Sequence, residues 1–92
     1  MKILFIDTVH PLLKKQLERL HFDCDTAYKK SKSEIEIIIN KYDGIIIRSR
    51  FYIDQKFIKH ATNLKFIARA GSGLENIDVD YAREREIKCY NA

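Results

Sequence analysis

Residues 66–78, FIARAGSGLENID, decide the fold of this chain, because a short apolar run leads directly into a turn that contains two glycines. The apolar residues 66–68 suit a β-strand. Gly71 and Gly73 let main-chain N–H groups approach a ligand closely, and Asp78 is placed to cap a following helix. The stretch therefore predicts a strand, a glycine turn and a helix, in that order.

The glycine turn has two interpretations, and the residues alone leave both open. Arg69 precedes the turn, and a fixed positive charge beside exposed main-chain N–H groups suits an anion. A Gly-Ser-Gly sequence after a strand is also often only a flexible turn. A dinucleotide fingerprint is disfavoured, because Asn76 stands at the third glycine position and too few residues follow for the acidic partner of that motif.

The rest of the chain alternates apolar runs with helical patterns, which predicts a parallel sheet covered by helices. Strands are predicted at residues 3–6, 22–27, 45–47, 66–68 and 87–90. The second strand is weakly apolar and is expected at an edge of the sheet. The three consecutive isoleucines of the third predict a central strand that is buried on both faces.

Helices are predicted between the strands, beginning at or just after Pro11, Ser33, Asp54 and Asp78. The first is expected to end near His21, with Leu12, Leu13, Leu17 and Leu20 recurring on one face. For the second helix, Ser33 and Glu36 match the spacing of a capping box.

Composition restricts the class of protein. With 92 residues and a net charge of +4, the chain is expected to be one soluble domain of marginal stability. No apolar run approaches the roughly 20 residues of a membrane span, and Met1 leads into a strand rather than a signal peptide, so we expect a cytoplasmic location. Cys24 and Cys89 stand far apart, which indicates neither a zinc site nor a disulfide framework. The lysines are spread over helical segments, so nucleic-acid binding is not expected.

Positively charged residues follow two neighbouring strands of the predicted sheet. Arg48, Ser49 and Arg50 come after the third strand, and Arg69 precedes the glycine turn after the fourth. Ligands of open α/β sheets bind outside the carboxyl ends of the strands. Three guanidinium groups at this edge favour a small ligand with several negative charges, such as a carboxylate that also bears a phosphate. A solvated surface also tolerates clustered arginines, so a purely solvent-facing role stays open.

Asp7 and His10 follow the first strand at the same edge. A carboxylate in the position of Asp7 is typical of phospho-accepting receiver domains, but Arg48 and Asn91 stand where a receiver has an aspartate and a lysine. His10 has no partner in the sequence that would make it a catalytic base, so we expect a histidine of the loop or of the helix start. Nucleophile, base and orienting group do not assemble, and the segment predicts binding rather than catalysis.

The chain resembles the D-isomer-specific 2-hydroxyacid dehydrogenases, and most closely their D-3-phosphoglycerate dehydrogenases, over essentially its whole length. The resemblance is densest in NLKFIARAGSGLENID at 63–78, in DGIIIRSR at 43–50, in ARER at 82–85 and in NA at 91–92. It implies that residues 1–92 are the N-terminal part of a substrate-binding domain. The implied fold is α/β, three-layered and flavodoxin-like, with a parallel sheet of order 2-1-3-4-5 and helices on both faces.

The resemblance also implies a function and roles for individual residues. The implied enzyme uses NAD to oxidise a D-2-hydroxy acid, in the first place 3-phosphoglycerate to 3-phosphohydroxypyruvate in serine biosynthesis. The arginine and serine after the third strand, the arginine before the glycine turn and the amides of that turn are implied to bind a small phosphorylated 2-hydroxy acid. With the third arginine of the edge, the expected substrate-binding residues are Arg48, Ser49, Arg50, Arg69, Ser72 and Gly73.

Family members continue beyond the position of Ala92 into an NAD-binding Rossmann domain that carries their catalytic residues. We therefore expect the 92 residues to be a fragment with no catalytic residue, no cofactor-binding residue and no metal site, and to be inactive alone. The longer enzyme is expected to bind NAD and to be a homo-oligomer. A free-standing flavodoxin-like module that binds an anion or regulates, without catalysis, stays the alternative, and extending the reading frame distinguishes the two.

Two residues depart from the family pattern. Glu86 stands where a helix-ending glycine is usual, and a side chain in a left-handed cap costs about 1 kcal/mol, so a different local turn is expected there. Glu75 replaces an aspartate, a change that is expected to be neutral if the residue faces solvent.

Overall fold

Strands and helices alternate along the chain in the computed structural model, which describes residues 1–71 and 73–91. The strands are β1 (Lys2–Phe5), β2 (Asp23–Thr26), β3 (Gly44–Ile47), β4 (Phe66–Arg69) and β5 (Lys88–Asn91). The helices are α1 (Pro11–Arg19), α2 (Lys32–Ile38), α3 (Gln55–His60) and α4 (Val79–Glu84), and a one-turn 3₁₀ helix (Ile39–Lys41) extends α2. Every predicted strand and helix is present, with bounds that differ by a few residues.

The five strands form one parallel sheet in the order β2-β1-β3-β4-β5. β1 lies inside the sheet, with Ile3 opposite Cys24 of β2 and Gly44 of β3. On the other side of β3, Gly44 lies opposite Phe66 of β4. The strand order confirms the predicted flavodoxin-like fold, and β2 lies at an edge as its weak apolar pattern indicated.

Both faces of the sheet are apolar, which gives three layers. One face packs against α2, α3 and α4 through Leu4, Ile6, Ile45, Ile47 and Ile67. The other face packs against Leu13 and Leu17 of α1 through Ile3, Phe5 and Ile46. Side chains alternate between the faces along a strand, so a strand covered on both sides needs an uninterrupted apolar run. All four residues of β3 are buried, as predicted.

Only part of the predicted apolar face of α1 contacts the sheet. Leu13 and Leu17 pack on it, whereas Leu12 and Leu20 are 49% and 65% exposed. Successive helical residues are about 100° apart around the axis, so Leu12 is turned away when Leu13 faces the sheet, and Leu20 lies beyond the last helical residue. The four leucines that recur at helical spacing therefore do not all contact the sheet.

The capping box of α2 begins two residues earlier than predicted. Ser31 Oγ accepts the N–H of Glu34 at 3.2 Å, and Glu34 Oε1 accepts the N–H of Ser31 at 2.9 Å, which holds the pKa of Glu34 below its ordinary value. The predicted pair, Ser33 and Glu36, was wrong, because Glu36 is buried with Oε1 4.0 Å from Lys56 Nζ of α3. Both pairs match the motif, and the packing of α2 on α3 selects the pair whose glutamate stays in solvent.

Asp54 and Asp78 cap α3 and α4, as predicted. Asp54 Oδ1 accepts the N–H of Phe57 at 3.0 Å, and its Oδ2 lies 2.9 Å from Lys32 Nζ; these two contacts lower the pKa of Asp54. Asp78 Oδ1 accepts the N–H of Tyr81 at 3.1 Å. Because α4 follows the glycine turn, the cap at Asp78 fixes the point at which the segment after that turn becomes helical.

Glu86 ends α4 in the left-handed conformation, with φ of 61°. Its N–H donates to the carbonyl of Arg83 at 2.9 Å, and the N–H of Ile87 donates to the carbonyl of Ala82 at 2.9 Å. This pair of bonds is a Schellman motif, which a glycine usually completes. The turn therefore keeps the shape expected of a glycine, and the expectation of a different local turn was wrong.

Glu86→Gly is expected to raise the free energy of unfolding by about 0.5 to 1 kcal/mol, because glycine removes the steric cost of the left-handed conformation. Urea denaturation of both proteins measures the change. The matched control is Glu84→Gly, an exposed glutamate at the last residue of the same helix, which should lower the free energy of unfolding by up to about 1 kcal/mol. Destabilisation by both glycines would contradict the argument.

Candidate functional site

The main chain of Arg48 is held by three segments that meet at the carboxyl edge of the sheet. Its N–H donates to Asp7 Oδ2 at 2.6 Å, in the loop after β1. Its carbonyl oxygen accepts Arg69 Nε at 3.1 Å and Asn76 Nδ2 at 2.8 Å. The loops that follow β1, β3 and β4 are therefore fixed to one another through a single residue.

Arg69 connects the loop after β3 with the glycine turn. Besides its bond to Arg48, its Nη1 lies 3.4 Å from the carbonyl oxygen of Gly73. A Cβ atom on Gly71 would lie 3.0 Å from the same Nη1, so the glycine leaves room for the guanidinium. The two features that the sequence placed at this edge, an arginine and a glycine turn, are thus in contact.

Main-chain hydrogen bonds join the same two loops a few residues further along the chain. Ile53 and Ile77 form a parallel bridge, in which Ile53 donates its N–H to the carbonyl of Asn76 at 2.8 Å and accepts the N–H of Asp78 at 2.9 Å. Asn76 Nδ2 also lies 3.4 Å from the carbonyl oxygen of Phe51. Both isoleucines are buried, so water is excluded from these hydrogen bonds, which hold the loops after β3 and β4 together.

A cavity of about 270 Å³ opens beside Arg48, lined by Thr8, Val9, His10, Arg48 and Ala70. The Arg48 side chain is exposed, and its Nη1 makes a long contact of 3.5 Å with the carbonyl oxygen of Thr8. The cavity combines an exposed guanidinium with polar side chains of the loop after β1. Such a combination is suited to a small anion.

His10 is the N-cap of α1, which confirms that it is a histidine of the helix start. Its Nδ1 accepts the N–H of Leu12 at 3.1 Å. An imidazole nitrogen that accepts a hydrogen bond carries no proton, so the neutral ring has its proton on Nε2. The capping bond gives His10 a structural role at the rim of the cavity.

Four of the expected substrate-binding residues lie around the contact between the two loops. Arg48 and Ser49 are exposed, and Arg69 and Gly73 are half-buried. Ser72 lies outside the described residues. The structure thus brings the exposed loop after β3 next to the glycine turn, as the strand order of the predicted sheet required.

Arg50 has different surroundings from the other expected site residues. Its Nη1 donates to the carbonyl oxygens of Ile6 at 3.0 Å and Ala27 at 2.8 Å, and its Nη2 donates to the carbonyl of Lys30. The guanidinium carbon also lies 5.9 Å from the centre of the Phe51 ring. Arg50 therefore ties the loop after β3 to the segments that follow β1 and β2.

The glycine turn does not fit a dinucleotide. Gly71 and Gly73 have φ angles of 145° and 81°, but a Cβ atom on Gly73 would lie 2.7 Å from Glu75 Cδ, so a carboxylate covers this glycine. In addition, α4 begins only at Val79, so no helix N-terminus faces the turn. The turn therefore lacks the helix N-terminus on which a Rossmann fold holds a pyrophosphate.

The family model for the catalytic domain of D-isomer specific 2-hydroxyacid dehydrogenases matches residues 3–92. The chain belongs to this family. It is 32% identical over all 92 residues to the D-3-phosphoglycerate dehydrogenase of Archaeoglobus fulgidus, of which it covers 18%. It is also 42% identical over 66 residues, 72% of its length, to the hydroxypyruvate reductase of Thermotoga maritima, of which the match covers 22%.

A solved 2-hydroxyacid dehydrogenase has the same fold. The NAD⁺-bound 3-phosphoglycerate dehydrogenase of Entamoeba histolytica superposes with a TM-score of 0.87 and 31% identity, over 99% of this chain and 32% of that one. The chain spans about a fifth of the length of the curated relatives it matches. Membership of this family confirms the resemblance that residues 43–50 and 63–78 show. The chemistry of the family is the oxidation or reduction of small hydroxy acids.

The described part of the chain offers neither a metal site nor a membrane-spanning helix, and both cysteines are free. Within residues 1–71 and 73–91, no three His, Cys, Asp or Glu side chains lie close enough together to hold a metal ion. In the same ranges no helix has the length and apolar character needed to cross a bilayer. Cys24 and Cys89 are half-buried free thiols, and burial raises the pKa of both.

The roles of two residues at this edge are not predicted from the sequence. The sequence places Asp7 at the carboxyl edge and Asn76 at the start of a helix, but it does not predict that both hold the main chain of Arg48. The available signal was position, because a short polar side chain just after a parallel strand can reach the loop of a neighbouring strand. The sequence does not say which N–H or carbonyl it reaches.

Proposed function

We propose that this chain is the N-terminal part of the substrate-binding domain of an NAD-dependent D-2-hydroxyacid dehydrogenase, and that the substrate is 3-phosphoglycerate or a close phosphorylated analogue. The contact of Arg69 with the carbonyls of Arg48 and Gly73 carries this proposal, because it joins two arginines and the glycine turn at one edge. In this role the turn receives the substrate carboxylate, and the arginines neutralise the phosphate.

Charge supports a phosphorylated substrate over an unphosphorylated one. A phosphate monoester carries nearly two negative charges at pH 7, in addition to the carboxylate of the hydroxy acid. Two neighbouring guanidinium groups repel each other, and a multiply charged anion relieves that repulsion more than a single carboxylate does. The relatives from A. fulgidus and E. histolytica are named for phosphoglycerate, and the T. maritima relative for unphosphorylated hydroxypyruvate.

We further propose that residues other than 1–92 hold NAD and the catalytic acid–base group, and that residues 1–92 alone do not oxidise the substrate. The start of α4 at Val79, several residues after the glycine turn, supports this division, because a dinucleotide site needs a helix N-terminus at its turn. Formation of NADH by the 92-residue chain with 3-phosphoglycerate and NAD⁺ would contradict it. The cytoplasmic location and the homo-oligomeric state of the longer enzyme stay predictions from the sequence.

In an amide NMR titration, 3-phosphoglycerate is expected to shift the signals of Arg48, Ser49 and Gly73 selectively and saturably. Arg69→Ala is expected to weaken the affinity by about tenfold or more, because a hydrogen bond to a charged group contributes about 1.5 to 3 kcal/mol. The dissociation constants obtained from the shifts measure the difference. Half a cleft holds a ligand weakly, so the titration extends to millimolar concentrations.

The control variant is Arg19→Ala, which removes one exposed positive charge at the end of α1. It should leave the affinity within about twofold, since the segment after α1 meets Met1 at the amino end of the sheet, away from the arginines, and exposed charges are screened with distance. Equal weakening by Arg19→Ala and Arg69→Ala would reduce the site to an effect of net charge. D-glycerate and inorganic phosphate are the ligand controls. If D-glycerate binds as tightly as 3-phosphoglycerate, the proposed preference for a phosphorylated substrate is contradicted. If inorganic phosphate binds as tightly as 3-phosphoglycerate, the site is a general anion site.

A further inference from the structure

One carboxylate oxygen of Asp7 binds two main-chain N–H groups of the loop after β3. Its Oδ2 accepts the N–H of Arg48 at 2.6 Å and the N–H of Arg50 at 3.3 Å. Two N–H groups that converge on one negative oxygen form charge-assisted bonds, which are stronger than bonds between neutral groups. The direction in which the exposed Arg48 side chain leaves the loop therefore depends on a residue from another strand.

Arg50 holds the same loop from its other side. Both N–H groups of its Nη1 have an acceptor, because this nitrogen donates to the carbonyls of Ile6 and Ala27, and Nη2 donates to the carbonyl of Lys30. These carbonyls belong to the segments after β1 and β2. A planar guanidinium can satisfy three carbonyls at once, whereas a lysine ammonium lacks the fixed fork that this geometry needs.

We propose that Asp7 and Arg50 are positioning residues that hold the main chain of Arg48 at the anion site, and that the Arg50 side chain is not a ligand of the substrate. The inference rests on the proposed function, in which Arg48 binds the substrate anion. It assigns Arg50 a different role from that of Arg48 and Arg69. In the proposed function Arg48 and Arg69 bind the ligand, whereas Arg50 holds the loop.

The first test replaces Asp7. Asp7→Ala is expected to remove the amide hydrogen-exchange protection of Arg48 and Arg50 and to weaken 3-phosphoglycerate binding about fivefold to tenfold. Asp7→Asn is expected to keep the affinity within about twofold, because its Oδ1 can accept the same two N–H groups. Unchanged protection of the Ile45 and Ile67 amides, which lie in the central strands, shows that the fold is intact.

The second test follows the arginine side chains themselves. On titration of the wild-type chain with 3-phosphoglycerate, the Nε–H signal of Arg48 should shift and that of Arg50 should stay in place. Arg50→Lys should shift the carbonyl carbon signals of Ile6, Ala27 and Lys30 in the ligand-free chain and weaken binding about fivefold. A lysine that restores full affinity would identify Arg50 as a simple charge for the ligand.

The outcomes separate the two proposals. A wild-type chain that binds none of the ligands overturns the proposed function, and the exchange of the Arg48 and Arg50 amides still decides the positioning role of Asp7. A wild-type chain that binds, together with Asp7→Ala of equal affinity and equal protection, overturns the role of Asp7. A ligand-induced shift of the Arg50 Nε–H signal as large as that of Arg48 overturns the assignment of Arg50.

Discussion

Gly44→Ala is expected to lower the free energy of unfolding by about 2 kcal/mol. Gly44 opens β3 and lies opposite Phe66 of β4, whose ring covers it. A Cβ atom on Gly44 would lie 2.8 Å from Phe66 Cε2 and closer still to two other ring atoms. Alanine has no rotamer that avoids the ring, so either the ring leaves the sheet or the strands move, and overpacking of this kind costs about 1 to 3 kcal/mol.

Urea denaturation of a double-mutant cycle with Phe66→Leu tests the cause. In the Phe66→Leu background the ring is absent, and Gly44→Ala should cost little, which gives a coupling of about 1 to 2 kcal/mol between the two positions. The same cost in both backgrounds would show that Phe66 is not responsible. Small domains have a total stability of about 5 to 15 kcal/mol, so the change is a substantial fraction of the stability of this fold.

Gly71→Ala is expected to reduce the affinity for 3-phosphoglycerate by about tenfold or more. At φ of 145° an alanine is strained, which costs about 1 to 3 kcal/mol of stability. The new Cβ would also lie 3.0 Å from Arg69 Nη1, so the guanidinium has to move away from the loop after β3. The variant therefore changes the position of Arg69 without removing its charge.

Gly73→Ala is the matched control in the same turn. Its φ of 81° also disfavours a side chain, but the atoms that its Cβ would meet belong to the exposed Glu75 and not to Arg69. We expect a smaller loss of affinity, about twofold to threefold, from titrations carried out in parallel. Equal losses in the two variants would show that strain in the turn, and not displacement of Arg69, weakens binding.

The two glycine sites illustrate how much of the chain was predictable. The strand with Ile45 to Ile47 was recognised because only an uninterrupted β-branched run is buried on both faces. The turn at Gly71 was recognised because glycine has few other uses directly after a strand. The pairing of Gly44 with Phe66 was not predicted, since it depends on the register of two strands that lie far apart in the sequence.

Errors arose where two local patterns were equally good. Ser31 with Glu34 and Ser33 with Glu36 both match a capping box, and the contact between Glu36 and Lys56 of another helix decides between them. In α1, four leucines recur at helical spacing, but the sheet contacts only two of them. Local propensity cannot distinguish such alternatives, because the deciding energy is that of packing against a distant segment.

The α/β class and the edge of the sheet at which the arginines gather can be predicted from the residues alone, because they follow from periodicity and from the rule that carboxyl ends of parallel strands share an edge. The strand order came from the family resemblance. The folded chain was needed to show that Arg50 holds the loop through three carbonyls and that Asp7 holds the main chain of Arg48. A hydrogen bond depends on distances between atoms of different loops, and these distances exist only after the whole sheet has assembled.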